Sequence, residues 1–144
     1  MSRDELRILI VEDYPANQVV MSRFLEPYGR VDLAGNGPDA LEMFQDGLEK
    51  EDPYDLVCLD IMLPRMDGHE VLDRIRSMEK DRDIAAGNRS KVIMTSALGD
   101  SRNIMAAFRG QCESYLQKPI RRERLETELR ELGLIPEVVG EEDA

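Results

Sequence analysis

The sequence predicts an α/β domain: a doubly wound, five-stranded parallel sheet with five helices on its two faces. Two observations predict it. Five short apolar runs recur along the 144 residues, and between them lie longer segments whose apolar residues return at helical spacing. Strict alternation of this kind implies a parallel sheet, because each strand must be re-entered through a crossover that packs on the sheet.

Each element has its own reason. Arg7-Ile8-Leu9-Ile10-Val11 is a continuous apolar run, short enough for a strand buried on both faces. Pro15 suits a first helical turn, and Val20, Met21, Phe24 and Leu25 stripe a helix over 15–26. Pro27 and Gly29 end it, and Arg30 to Ala34 reads as the second strand. Gly37-Pro38 opens a helix with Leu41, Phe44 and Leu48 facing inward. Tyr54 to Leu59 is the third strand, and Asp60 ends it.

The second half repeats the pattern. An Asp67-Gly68 turn leads to a helix marked by Val71, Leu72, Ile75 and Met78. Residues 79–90 are polar and aperiodic, as expected of a helix end and an exposed loop. Lys91 to Ser96 forms the fourth strand. Asp100 or Ser101 caps a helix carrying Ile104, Ala107 and Phe108. Glu113 to Gln117 is the fifth strand, and Leu125, Leu129 and Leu132 stripe a last helix that Gly133 ends. Residues 1–134 are predicted to be one domain, and 135–144 a short acidic tail.

Composition narrows the functions. The chain carries 19 basic and 30 acidic side chains, a formal charge of −11 that repels phosphate backbones and argues against nucleic-acid binding. Its apolar runs are too short to span a bilayer, and its opening residues lack a signal-peptide pattern, so no membrane partner and a cytoplasmic location are expected. Cys58 and Cys112 have neither metal-ligand nor redox spacing and read as buried thiols. His69, the sole histidine, reads as a solvated residue at a helix start, Asp67 as a turn or cap residue, and Asp55 as exposed.

In an open parallel sheet, ligands gather beyond the carboxyl ends of the strands. Those ends carry Glu12-Asp13, Asp60, Thr95-Ser96 and Lys118-Pro119. Two carboxylates about 4 Å apart repel by roughly 4 kcal/mol at an effective dielectric near 20. Three together are costly without a cation, and an all-oxygen set that keeps waters suits Mg²⁺. With the ion bridging, Asp60 becomes usable as a nucleophile toward a phosphoryl group, Lys118 can pair with a phosphoryl oxygen, and the Thr95 hydroxyl can donate to another.

These motifs resemble those of response-regulator receiver domains, of the single-domain, chemotaxis-regulator-like type. "ILIVEDYPAN" resembles the opening strand and acidic pair, and "LVCLDIMLPRMDG" the phosphoacceptor strand and loop. "VIMTSA" resembles the switch-hydroxyl strand and "YLQKP" the lysine-proline end, with the likeness running from about Leu6 to Gly133. The resemblance implies a flavodoxin-like sheet of order 2-1-3-4-5. It implies Asp60 as phosphoacceptor, Asp13 and Asp60 as metal ligands, Glu12 binding mostly through water, and the Met62 carbonyl as a further ligand. Thr95 and Lys118 would contact the phosphoryl group, Tyr115 would be the aromatic switch, and the Lys118-Pro119 bond would be cis. Met62 and Ala97, at the positions that tune acyl-phosphate hydrolysis, cannot orient water through a side-chain hydrogen bond, which predicts slow self-dephosphorylation.

The implied function is a phosphorylation-controlled binding module rather than an enzyme acting on other substrates. A sensor histidine kinase or histidine phosphotransfer protein would supply the phosphoryl group. Output would pass through another protein, on the face formed by the helix after strand four, strand five and the last helix. The alternative is a Mg²⁺-dependent phosphohydrolase working through an aspartyl phosphate, although Met62 stands where haloacid-dehalogenase-like enzymes place a second acid. A flavin binder is disfavoured by the acidic "EDYPAN" loop, and an unphosphorylated scaffold by the intact set of rim residues.

Overall fold

A computed structural model of the chain describes residues 5–97 and 111–136. Within them, β1 (Leu6–Val11), α1 (Pro15–Leu25), β2 (Gly29–Ala34), α2 (Gly37–Glu49), β3 (Leu56–Asp60), α3 (Gly68–Asp81), β4 (Lys91–Ser96), β5 (Ser114–Gln117) and α4 (Arg122–Glu131) follow in order. Short 3₁₀ turns at Glu26–Tyr28 and Ala86–Asn88 join α1 to β2 and α3 to β4. The expected helix over Ile104, Ala107 and Phe108 lies outside the described residues.

All strand pairs are parallel, and the sheet order is β2-β1-β3-β4-β5, the doubly wound order that the resemblance implies. Order reverses between β1 and β3. That reversal opens the crevice where such sheets bind ligands.

The sheet is buried on both faces because its strands are apolar at successive positions. Leu9 and Val11 of β1, Val57 and Leu59 of β3, and Val92 and Met94 of β4 face α2 and α3, among Phe44, Leu72 and Ile75. Ile8, Ile10, Leu56, Cys58 and Ile93 face the other way, toward Met21 and Leu25 of α1 and Leu125 and Leu129 of α4. Each large aliphatic side chain fully buried in this way contributes about 1.5–3 kcal/mol.

Helix ends follow local chemistry. Asn36 caps α2 by accepting from Asp39 N–H at 2.9 Å, and Asp67 caps α3 by accepting from Glu70 N–H at 3.0 Å. Gly133, at φ 78°, ends α4, and Leu134 N–H returns to Leu129 O at 2.9 Å.

Several local expectations are corrected. Val20 is exposed, so the inner stripe of α1 rests on Met21 and Leu25 with Phe24 half-buried. The third strand starts at Leu56 rather than Tyr54, and the fifth at Ser114 rather than Glu113. Asp55 is half-buried, because its carboxylate accepts the Arg7 N–H at 2.8 Å. Cys58 is buried, but Cys112 only half so. Within 79–90, Glu79 and Ser90 are buried rather than exposed.

Candidate functional site

The rim is built by continuing the ladder just past the strands. Glu12 N–H donates to Ala34 O at 3.0 Å, Ile61 N–H to Thr95 O at 2.9 Å, and Lys118 N–H to Ser96 O at 2.7 Å. Residues immediately after β1, β3 and β5 are therefore held as firmly as strand residues. Asp60 pairs in register with Thr95, which pairs with Leu116.

Glu12, Asp13 and Asp60 each bring a carboxylate oxygen within 4.8 Å of the others. Glu12 and Asp60 are buried, and Asp13 is exposed. Lys118 Nζ donates to Glu12 Oε1 at 2.8 Å and to Asp60 Oδ2 at 3.1 Å. Met62 N–H donates to Asp60 Oδ1 at 3.2 Å, so both oxygens of Asp60 are oriented. The Lys118-Pro119 bond is cis.

Burial, then the neighbouring charge of Glu12, holds the Asp60 carboxyl above its ordinary range, against the opposing pull of Lys118 and the Met62 N–H. For Lys118, burial pulls the other way, but hydrogen bonds and charge from Glu12 and Asp60 outweigh it and raise the ammonium's pKa. Three carboxylates meet one bonded ammonium, which leaves two negative charges uncompensated. Oxygen donors of that charge fit a hard divalent cation such as Mg²⁺. Glu12, Asp13 and Asp60 are the side chains able to hold it.

The other expected residues lie on β4, on β5 and in the loop after β3. Thr95 is buried in β4, while Tyr115 stands on the edge strand β5 and is 43% exposed. Met62 is next to the cluster through its backbone, and its side chain points to solvent at 61% exposure. His69 is exposed in the first turn of α3 and does not belong to the carboxylate cluster.

Three supporting residues carried no functional reading in the sequence. Gln18 Nε2 donates to Glu12 O at 2.6 Å, and Tyr14 N–H donates to Glu12 Oε2 at 3.2 Å, so α1 fixes the acidic pair. Gly68 had been legible as a turn residue, but its burden is closer contact. A Cβ there would fall 2.3 Å from Asp60 O and 2.9 Å from Ile61 Cα. Any side chain would displace the backbone that aims Asp60. An Asp-Gly pair seven residues past a strand-end acid was the available signal.

A sequence model of the response regulator receiver domain matches residues 8–130. The chain belongs to that family. This receiver is 34% identical over 128 residues to the two-component response regulator ORR41 of Oryza sativa subsp. japonica, covering 87% of the chain and 92% of that protein. It is 32% identical over 132 residues to a probable histidine kinase 2 of Oryza sativa subsp. indica, of which it spans 12%. Among solved structures, it is similar to the receiver domain of the sensor histidine kinase PA1611 from Pseudomonas aeruginosa PAO1. That likeness has a TM-score of 0.71 at 28% identity, over 90% of this chain and 98% of the other, and the other structure holds a magnesium ion coordinated in its active site cleft. Receivers are signalling modules of two-component systems, and this chain is one of them. No helix among the described residues is long and apolar enough to cross a membrane.

Proposed function

We propose that this receiver is a phosphoacceptor: Asp60 takes a phosphoryl group from a phosphohistidine donor in a Mg²⁺-dependent step. The observation that carries the reading is the position of Asp60. It ends a strand buried at every residue, joins two other carboxylates within 4.8 Å, and sits 3.1 Å from Lys118 Nζ. In the transfer, an Asp60 carboxylate oxygen forms the new P–O bond as the P–N bond breaks, and the imidazole nitrogen keeps the electron pair. Mg²⁺, held by Glu12, Asp13, Asp60 and the Met62 carbonyl, would offset the repulsion between carboxylate and phosphoryl.

Lys118 would pair with a phosphoryl oxygen, leaving its present contact with Asp60. Thr95 would donate its hydroxyl to another oxygen. Its register neighbours Asp60 and Leu116 lie on β3 and β5, so drawing Thr95 toward the site would be felt on the strand that carries Tyr115. The exposed Tyr115 ring has room to change position, which suits a switch on a protein-binding face. The donor would be a sensor histidine kinase or a histidine phosphotransfer protein. The output would be a second protein, the setting cytoplasmic, and residues 1–134 the working unit with 135–144 as its tail.

Acetyl phosphate with Mg²⁺ is expected to add one phosphoryl group to the wild-type protein, seen by intact mass, and none to Asp60→Asn. Failure of the wild type to gain that mass would overturn the reading. Repeated turnover of a small phosphomonoester would instead favour the phosphohydrolase.

A further inference from the structure

Among the described residues, Met62 is the methionine that stands in solvent, 61% exposed. Met21 and Met94 are buried, and Met43, Met66 and Met78 pack at the edge of the core. Met66 shares the β3–α3 loop with Met62, yet its side chain leans on Gly37 and the core. The Met62 thioether therefore rides on the residue whose N–H orients Asp60 Oδ1 at 3.2 Å.

We propose that Met62 is a peroxide-sensitive modification site, and that its sulfoxide shortens the life of the phosphoryl group on Asp60. The second half rests on the acyl-phosphate reading of Asp60. In the oxidation, the thioether sulfur attacks one oxygen of hydrogen peroxide and the O–O bond breaks. The sulfur keeps that oxygen and is oxidised by two electrons, while the departing hydroxide takes the transferred oxygen's proton and leaves as water.

Among the described residues, the competing sulfurs are poorly placed to consume the oxidant. The thiolate is the form of cysteine that reacts. Burial pushes the Cys58 thiol up to about 12, and burial together with Glu113 raises that of Cys112. A thioether reacts without losing a proton, so exposure decides its rate, and exposure favours Met62.

The consequence follows from hydrogen-bonding capacity. A thioether is a weak acceptor, so Met62 cannot hold a water for attack on the phosphorus. The sulfoxide has a polar S=O oxygen at the end of the same flexible side chain, on the residue whose backbone N–H bonds Asp60 Oδ1. One net hydrogen bond to the attacking water would speed hydrolysis about fivefold, equivalent to about 1 kcal/mol of barrier.

The test treats the full chain with limiting hydrogen peroxide, maps oxidation by peptide mass, and then measures decay of the acetyl-phosphate-labelled protein in Mg²⁺. The peptide carrying Met62 is expected to gain one oxygen atom before those carrying Met21, Met66 or Met94. The labelled form is expected to decay about fivefold faster than its untreated counterpart, with the original lifetime restored by methionine sulfoxide reductases. In Met62→Leu, peroxide is expected to leave the lifetime where it was in that variant before treatment. Oxidation of a core methionine ahead of Met62 overturns the site, and an unchanged lifetime at full Met62 oxidation overturns its consequence. If untreated protein takes no phosphoryl group at all, the acceptor reading has failed instead, and the peptide map still decides the modification.

Discussion

Asp60 is a residue placed against its own electrostatic interest. Its side chain is 5% exposed, and burial and Glu12 both raise its pKa in the folded protein. A carboxyl whose folded pKa is raised adds stability below its unfolded pKa, and loses that contribution as pH rises through the folded value. At neutral pH the metal-free protein therefore carries Asp60 as a liability, which Lys118 offsets in part. Asp60→Asn is expected to raise the melting temperature by a few degrees at pH 7 without divalent ions, while abolishing phosphoryl uptake. The difference between the two proteins should shrink as pH falls through the raised pKa of the wild-type carboxyl and into the ordinary carboxylate range. Thermal melts across that range would check it, and a less stable Asp60→Asn protein at neutral pH would contradict it. Lys118 behaves in the opposite pH range: its raised pKa holds stability up to alkaline pH and releases it there.

At the scale of elements, α3 is fastened to the sheet by a cluster far from the rim. Arg76 donates to Glu79 Oε1 at 2.8 Å, to Ser90 O at 2.9 Å, to Gln111 O at 2.8 Å and to Glu113 Oε1 at 3.0 Å. Glu79 Oε2 accepts Ser90 N–H at 2.8 Å, and Glu113 Oε1 accepts Val92 N–H at 2.7 Å. One guanidinium thus joins α3 to the entries of β4 and β5, whose other ends carry Thr95 and Lys118. Glu79 is 1% exposed, so removing its cation strands a buried charge. Arg76→Ala is expected to cost about 3 kcal/mol in urea unfolding, at the lower end for a broken buried pair because Arg76 is partly exposed. A change under about 0.5 kcal/mol would mean the cluster is a surface feature. The same cluster explains what the sequence hid. Leu9, Val57 and Val92 announced buried strands by their neighbours in the chain, but Ser90 meets Glu79 and Arg76 across 11 and 14 positions. A polar, aperiodic stretch gives no local sign of such pairing. Val20 failed for a related reason: a two-residue-wide apolar stripe does not say which half packs.

At the scale of the whole molecule, the convergence of the candidate residues was legible because one topological rule converts separate strand ends into one place. Glu12, Asp13, Asp60 and Lys118 are up to 106 positions apart, yet β1, β3 and β5 deliver them together. The rule locates residues but not contacts, so Gln18 behind Glu12 emerged from geometry alone, and Gly68 was legible as a turn residue but not as a neighbour of Asp60. Convergence also has an energetic consequence, because the unfolded chain has no such cluster. A chain at −11 that gathers three carboxylates around one ammonium gains stability from any cation that binds the folded form alone. At a concentration of about 100 times Kd that gain is about 2.7 kcal/mol, enough for a visible shift in melting temperature. Mg²⁺ is therefore expected to raise the melting temperature of the wild-type protein along a saturating curve. Asp13→Asn, which removes one exposed carboxylate of the cluster without burying anything new, should flatten that curve. NaCl at equal ionic strength only screens exposed charge, over about 10 Å at 0.1 M, and should give both proteins the same shallow, unsaturated drift. If Mg²⁺ shifts wild type and Asp13→Asn alike, it acts on the acidic surface as a whole, and the rim does not form a metal site.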